Sequence, residues 1–208
     1  MTTLLLIRHA ANDALQEGRL TGRLPGVHLN QTGRAQAQAL AERLAGVSLA
    51  AVYSSPMERA QETAQPLAAR HGLPVHIHPG LQELDCGRWS GQPLERLRRR
   101  PLWRARALYP SGIPLPDGES SWDMQVRIVA AAEEMRAAHP QQTVALVSHA
   151  DPIRALVAHY LGLPLDLYQR LGVSPASLTL LSLEGPLPRL MCLNETSYLP
   201  HSEGEQGG

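Results

Sequence analysis

The sequence predicts an α/β fold: a three-layer α/β/α sandwich around a mainly parallel central sheet. Three observations carry this. Leu4-Leu5-Leu6-Ile7 is an unbroken apolar run that stops at Arg8-His9, the pattern of a strand buried on both faces. Apolar runs then alternate with helix-forming segments, as in strand–helix units whose strands pair in parallel. Finally, the residues after the runs are polar, Arg8-His9, Ser54-Ser55 and Ser148-His149. They fall at the carboxyl ends of strands, where open α/β sheets bind ligands.

The totals bound the reading. A chain of 208 residues with 43% hydrophobic residues can bury one full core, so residues 1–200 are expected to form a single catalytic domain. There is no Phe, which leaves Leu, Val, Ile and Ala with a few Trp and Tyr to fill it. The formal net charge is zero, so nothing global points to nucleic acid or to an anionic membrane. All 19 basic side chains are Arg. The absence of Lys excludes a phosphate-binding P-loop and Schiff-base chemistry, although genomic base composition is its simpler cause. Arg is the side chain whose planar fork matches phosphate oxygens two at a time. Cys86 and Cys192 form neither a disulfide framework nor a zinc pattern. The N-terminus lacks signal-peptide character and no apolar run reaches membrane-spanning length, so a cytoplasmic protein is expected.

In chain order, the first strand is followed by a polar loop to about Asn30 that contains Arg19, Thr21, Gly22 and Arg23, donors able to close over an anion. Thr32 is expected to cap a helix over 33–45, with Leu40 and Leu44 on one face and Gly46 as its stop. Leu49–Tyr53 reads as the second strand. Ser55 as cap and Pro56 at the first helical position open a helix to about His71. Arg59 lies in its first turn, the wrong end of a helix for a cation unless an anion binds there. Val75–His78 reads as a short strand whose His76-x-His78 pair could ligate a metal, but no acidic or Cys partner lies nearby. The segment 81–91 is a Gly-punctuated loop with two carboxylates, Glu83 and Asp85. A very basic helical stretch, about 92–109 and broken at Pro101, leads into a Pro/Gly-rich linker. Together these make a small helical lid region at about 92–118. Ser120 and Asp123 resemble a capping box for a helix to about Ala138. Thr143–Val147 is a buried strand, Asp151-Pro152 is expected to cap a helix to about Leu161, and 178–183 and 189–193 read as strands. Residues 201–208 are expected to be a disordered polar tail.

Strand ends carrying His9 and His149, with Arg8, Arg59 and a nearby carboxylate, make a site for a phosphate dianion. With these residues in view, the chain resembles the histidine phosphatase superfamily, also called phosphoglycerate mutase-like, and its small phosphatase branch in particular. Arg8-His9 resembles the family's Arg-His-Gly signature. The stretch 54–64 (SSPMERAQETA) resembles its second motif and 81–91 (LQELDCGRWSG) its acid-bearing loop. Asp117-Gly118-Glu119-Ser120 and Val147-Ser148-His149 resemble its last two motifs. The match runs in the family's order over about 4–195.

The resemblance implies roles. His9 is the nucleophile that forms a phosphohistidine, kept neutral by repulsion from Arg8 and Arg59. Arg8, Arg59 and His149 hold the equatorial oxygens, with Asn12, Thr21 and Gly22 as further phosphate contacts. Glu83 is the general acid and base, with Asp85 as competitor. No metal and no cofactor are required. The chain departs from the pattern at Ala10, where the family has Gly, at Ala11-Asn12 in place of Glu-Thr or Glu-Ser, and at Ala150-Asp151 after the second His. Asp151 is expected to cap its own helix. The implied activity is metal-independent hydrolysis of a small phosphorylated metabolite; the alternatives are a phosphoglycerate mutase or a phospho-ligand-binding module without turnover. The short stretch between Arg88 and Glu119 favours hydrolysis over a mutase. Substrate choice is expected within 94–116, at Arg100 and Arg104. No partner nucleic acid or membrane is implied, and the oligomeric state is not legible.

Overall fold

The computed structural model of the chain describes residues 2–183 and 187–200; the tail expected at 201–208 lies outside them. Strand β1 (Thr3–Arg8) holds the centre, because its apolar run has a partner on each edge and a helical layer on each face. Six strands order as β3-β2-β4-β1-β5-β6, with β2 at Ala51–Ser54, β3 at Val75–Ile77, β4 at Thr143–Ser148, β5 at Leu178–Ser182 and β6 at Arg189–Glu195. The first four pair in parallel and the last two antiparallel, so the sheet is mainly parallel as expected.

The two-residue period of a strand sorts the core into layers. Leu4 and Leu6 share one face with Val144, Leu146, Ile128 and Leu156, under helices α6 (Ser121–Ala138) and α7 (Ala150–Leu161). Leu5 and Ile7 point the other way, against Leu40, Ala64 and Leu67 of α2 (Gln31–Arg43) and α3 (Glu58–Arg70). Burying each such side chain contributes about 1.5–3 kcal/mol, and a one-residue slip would turn the set inside out. A third cluster joins the 81–91 loop to the segment 92–118. There Trp89, Leu97 and Leu115 pack with Met124 and Ala155, and Trp89 meets Trp103 at 5.5 Å between ring centroids.

Several ends differ from expectation. The polar loop after His9 contains a short helix α1 (Asp13–Gln16), capped by Asn12 Oδ1 accepting from the Leu15 amide. Helix α2 starts two residues early because Asn30, not Thr32, caps it, with Oδ1 accepting from Gly33; it ends at Arg43, before Gly46. Helix α3 starts at Glu58 after Met57, without a side-chain cap. Ser55 does not cap it; its hydroxyl accepts from Met57 N–H but is held by His149. Asp151 does not cap α7 either. His149 occupies that position, and Asp151 sits in the first turn and pairs with Arg154 at 3.0 Å. The basic stretch does break at Pro101, into α4 (Leu94–Arg98) and α5 (Pro101–Leu108). Ser120 caps α6 through the Asp123 amide. His78 accepts from the Gly80 amide and faces Glu134 at 3.3 Å, while His76 lies against Tyr53. No described helix is long and apolar enough to cross a membrane.

Candidate active site

Register brings the site together. In the parallel β1–β4 pair Arg8 stands opposite Ser148, and in β2–β4 Ser54 stands opposite Val147. The next residue of each strand therefore emerges at one edge: His9, His149 and Ser55. Their backbones are tied, His9 N to Ser148 O and Ser55 N to Val147 O, both at 2.9 Å. The His9 and His149 rings lie 5.1 Å apart, and both are buried. The strand order changes direction beside β1, which makes this edge the crevice where such sheets take ligands.

Each ring has a defined role for its nitrogens. His9 Nδ1 lies 2.8 Å from the Ala10 carbonyl, an acceptor only, so Nδ1 carries the proton and Nε2 keeps the lone pair. Burial, then repulsion from Arg59 and Arg8, holds the His9 pKa well below the imidazole range. Burial therefore leads, ahead of the charge repulsion expected from sequence. His149 is pushed down in the same way, burial first and Arg59 next. Its Nε2 lies 2.8 Å from Ser55 Oγ. With that hydroxyl accepting from Met57 N–H and donating to Nε2, His149 Nδ1 is left as an N–H donor.

Among the described residues, the buried donors Arg8 Nε, Arg59 Nε and Nη1, Asn12 Nδ2 and His149 Nδ1 have no partner. Orphaned buried donors are rare, because each costs about 1–3 kcal/mol. Arg59 is fully buried, anchored among the described residues only by Nη2 donating to the Gly22 carbonyl at 2.8 Å. Gly22 can aim that carbonyl because it sits at φ +51°, where a side chain would be strained. Gly22 therefore acts on Arg59 through its carbonyl, and the Thr21 carbonyl accepts from the Leu24 amide, which leaves the N–H groups of both residues to donate elsewhere. Arg8 donates Nη1 to Val173 O at 2.7 Å, and burial lowers its pKa to about 10, leaving it charged. The amides of Ala10 and Ala11 are occupied by Thr63 Oγ1 and Gln36 Oε1.

Glu83 completes the group. Its Oε2 is 4.0 Å from His149 Nδ1, and its side chain is 16% exposed. Desolvation, reinforced by the Asp151 charge, pushes its pKa up to about 7, against the opposing pull of Arg59 and Arg8. A carboxyl with that pKa can both give and take a proton near neutrality. Asp85, the competing carboxylate, instead accepts from the Gly87 amide and shapes the loop. Sequence reasoning missed what holds Glu83 in place. Arg127 donates to the carbonyls of Gly80, Gln82 and Glu83 and pairs with Glu119, while Arg23 bridges Glu119 to the Glu83 carbonyl. Only the Glu119 motif hinted at this network.

This fold and this site define a class. A family model for the histidine phosphatase superfamily (branch 1) matches residues 4–196, and the chain belongs to that family. Among its relatives, it is 32% identical over 201 residues to phosphoserine phosphatase 1 of Hydrogenobacter thermophilus, covering 96% of this chain and 95% of the relative. Its structure is similar to a mycobacterial glucosyl-3-phosphoglycerate phosphatase complexed with VO3 (TM-score 0.86, 32% identity, 93% of this chain and 99% of that one). It is also similar to a phosphoserine phosphatase of Entamoeba histolytica in complex with 3-phosphoglyceric acid (TM-score 0.87, 26% identity, 96% and 100% covered). These neighbours support phosphatase activity on small phosphorylated metabolites.

Proposed function

We propose that the protein hydrolyses a small phosphomonoester through a phosphohistidine on His9, without a metal. One observation carries this: beside a neutral imidazole whose Nε2 is left free, five buried donor atoms on Arg8, Asn12, Arg59 and His149 have no partner among the described residues. Such a cage fits a tetrahedral oxyanion. In the first step the Nε2 lone pair attacks phosphorus and the bond to the leaving oxygen breaks. Glu83 gives its proton to that oxygen as it departs. In the second step the Glu83 carboxylate takes a proton from water, the water oxygen attacks phosphorus, and the P–N bond breaks to restore Nε2. Arg8 and Arg59 neutralise the charge that spreads over the equatorial oxygens, and the neutral His149 donates a hydrogen bond to them; Asn12 adds one amide donor, and Thr21 and Gly22 are further phosphate contacts. Residues 1–200 act as one catalytic unit, with 92–118 as a lid over the leaving group.

The test is rapid quenching into alkaline denaturant with ³²P-labelled substrate, because phosphohistidine survives base. Label on His9 that is lost to water supports the phosphatase; transfer to a second hydroxyl of a sugar acid indicates a mutase, and binding without label a non-catalytic module. A His9→Ala variant with full activity would refute the nucleophile.

A further inference from the structure

Arg8 and Arg59 both lean on backbone carbonyls. Arg59 leans on Gly22 O. Arg8 has one side-chain hydrogen bond among the described residues, Nη1 donating to Val173 O at 2.7 Å. That carbonyl belongs to the same peptide unit as the Ser174 N–H, which donates to Asn194 Oδ1 at 2.6 Å. A peptide unit is planar and stiff, so holding the N–H at one end sets the direction of the C=O at the other. Asn194 and Arg8 therefore grip opposite ends of one rigid plate, and each bond polarises the other. A bulge puts Asn194 in place. Leu178 pairs with Glu195 and Leu180 with Cys192, so Leu193 and Asn194 together face the single residue Thr179. Such a bulge re-aims a side chain. Asn194 takes φ +57°, in the left-handed region that Asn enters more readily than most residues. Its amide donates to the buried Thr179 Oγ1 at 3.1 Å. The turn that carries the plate is also tied to the end of β1: Arg8 N donates to Ser177 O at 3.3 Å and Ala176 N to His9 O at 3.2 Å. Those ties join backbone to backbone and do not touch the 173–174 peptide.

We propose that Asn194 is a positioning residue for the phosphate site. Through the 173–174 peptide it holds Arg8 by Nη1, so that the partnerless Nε is presented to a phosphate oxygen. The proposal rests on the reading above, in which Arg8 binds the phosphate. Arg8 supplies the charge and Asn194 the direction. A guanidinium fixed before the ligand arrives loses less side-chain freedom on binding, which favours affinity. Without the Asn194 bond the plate turns more freely, and Nη1 follows its acceptor.

The left-handed backbone supplies a clean variant. Asn194→Gly keeps that conformation without strain and removes only the acceptor, whereas Asn194→Asp keeps the acceptor. Calorimetric titration with inorganic phosphate reads the aim of Arg8 without requiring turnover. Asn194→Gly is expected to weaken phosphate binding about five- to twentyfold, the range for part of a charged hydrogen bond. Asn194→Asp should stay within about threefold of the wild type, since its acceptor remains. The decisive arm repeats Asn194→Gly in an Arg8→Met background, where Arg59 and His149 still hold the ion. A residue that acts through Arg8 has little left to lose there, so the further loss should fall to about twofold or less. A loss that persists undiminished would make Asn194 a structural residue and overturn the proposal. So would a folded Asn194→Gly that binds phosphate like the wild type. If Asn194→Gly does not fold, Asn194→Ser, one bond shorter, takes its place in both arms. Rapid quenching with ³²P-labelled p-nitrophenyl phosphate separates this proposal from the reading beneath it. No label on His9, with the phosphate results as expected, overturns the phosphatase and leaves the positioning role; label with an undiminished loss does the reverse. A wild type that neither binds phosphate nor takes up label overturns both.

Discussion

In the proposed mechanism Glu83 lends a proton to the departing oxygen and then recovers one from water, so its pKa decides the pH range of each step. Burial, with Asp151 second, raises it to about 7; below that pH the carboxyl is protonated and competent as an acid. Formation of the phosphoenzyme is therefore expected to slow as pH rises through about 7, while its hydrolysis, which needs the carboxylate, speeds up over the same range. His9, the proposed nucleophile, sets the other limb. Because burial and two guanidinium groups hold His9 well below 6.5, loss of activity through its protonation should lie on the acid side of the ordinary imidazole range. Single-turnover rates against pH check both signs. Asp151→Asn, which removes the second cause of the Glu83 shift, should move the upper midpoint to lower pH. Glu83→Gln should slow phosphoenzyme formation by about 10²–10⁴-fold; a variant that retained the wild-type profile would show that another group carries the proton.

Helix α3 is the element that joins the His9–Ala10 loop to Arg59, and Thr63 is the joint. Its Oγ1 accepts the Ala10 amide at 3.0 Å and donates to the Arg59 carbonyl at 2.7 Å, all within a buried region. Thr63→Val keeps the shape and strands the Ala10 N–H, so a loss of about 1–3 kcal/mol is expected, read as a shift in urea midpoint without a change in slope. Helix α2 approaches the same loop closely. A Cβ at Gly33 would fall 2.0 Å from the Ala11 carbonyl, so Gly33→Ala should displace the Asn12 loop and lower kcat. Little of this was legible in the sequence. The strands were, because Leu4–Ile7 and Thr143–Val147 are long apolar runs whose polar exits mark the crevice, and Pro101 marked the break in the lid. The caps were not: Asn30 and Thr32 are comparable candidates, and Ser55 looked like a cap because its bond to His149 spans 94 residues. Asn194 was hidden as well: the last strand reads as ending at Leu193, and only the bulge opposite Thr179 turns the next side chain to the Ser174 amide.

At the scale of the whole molecule, a site that binds a dianion burdens the protein that carries it. Arg59 sits fully buried in the wall of the core, with two of its three nitrogens partnerless and no ion pair among the described residues. Burial presses its pKa down, and the Glu83 charge offsets this only in part. Replacing such a charge by an apolar side chain of similar length is often neutral or stabilising, by about 1–4 kcal/mol where ion pairs have been replaced. Activity and stability are therefore expected to part at this position. Arg59→Met should melt at the same temperature as the wild type or higher, while phosphoenzyme formation falls by orders of magnitude. Adding inorganic phosphate should reverse the order. An oxyanion that binds only the folded wild type stabilises it by about 2.7 kcal/mol at a hundred times its Kd, and it should leave the variant almost unmoved. Thermal melts of both proteins with and without phosphate measure the four values. A variant that melts well below the wild type without phosphate, yet shifts as far with it, would mean that Arg59 supports the core and that the phosphate is held elsewhere.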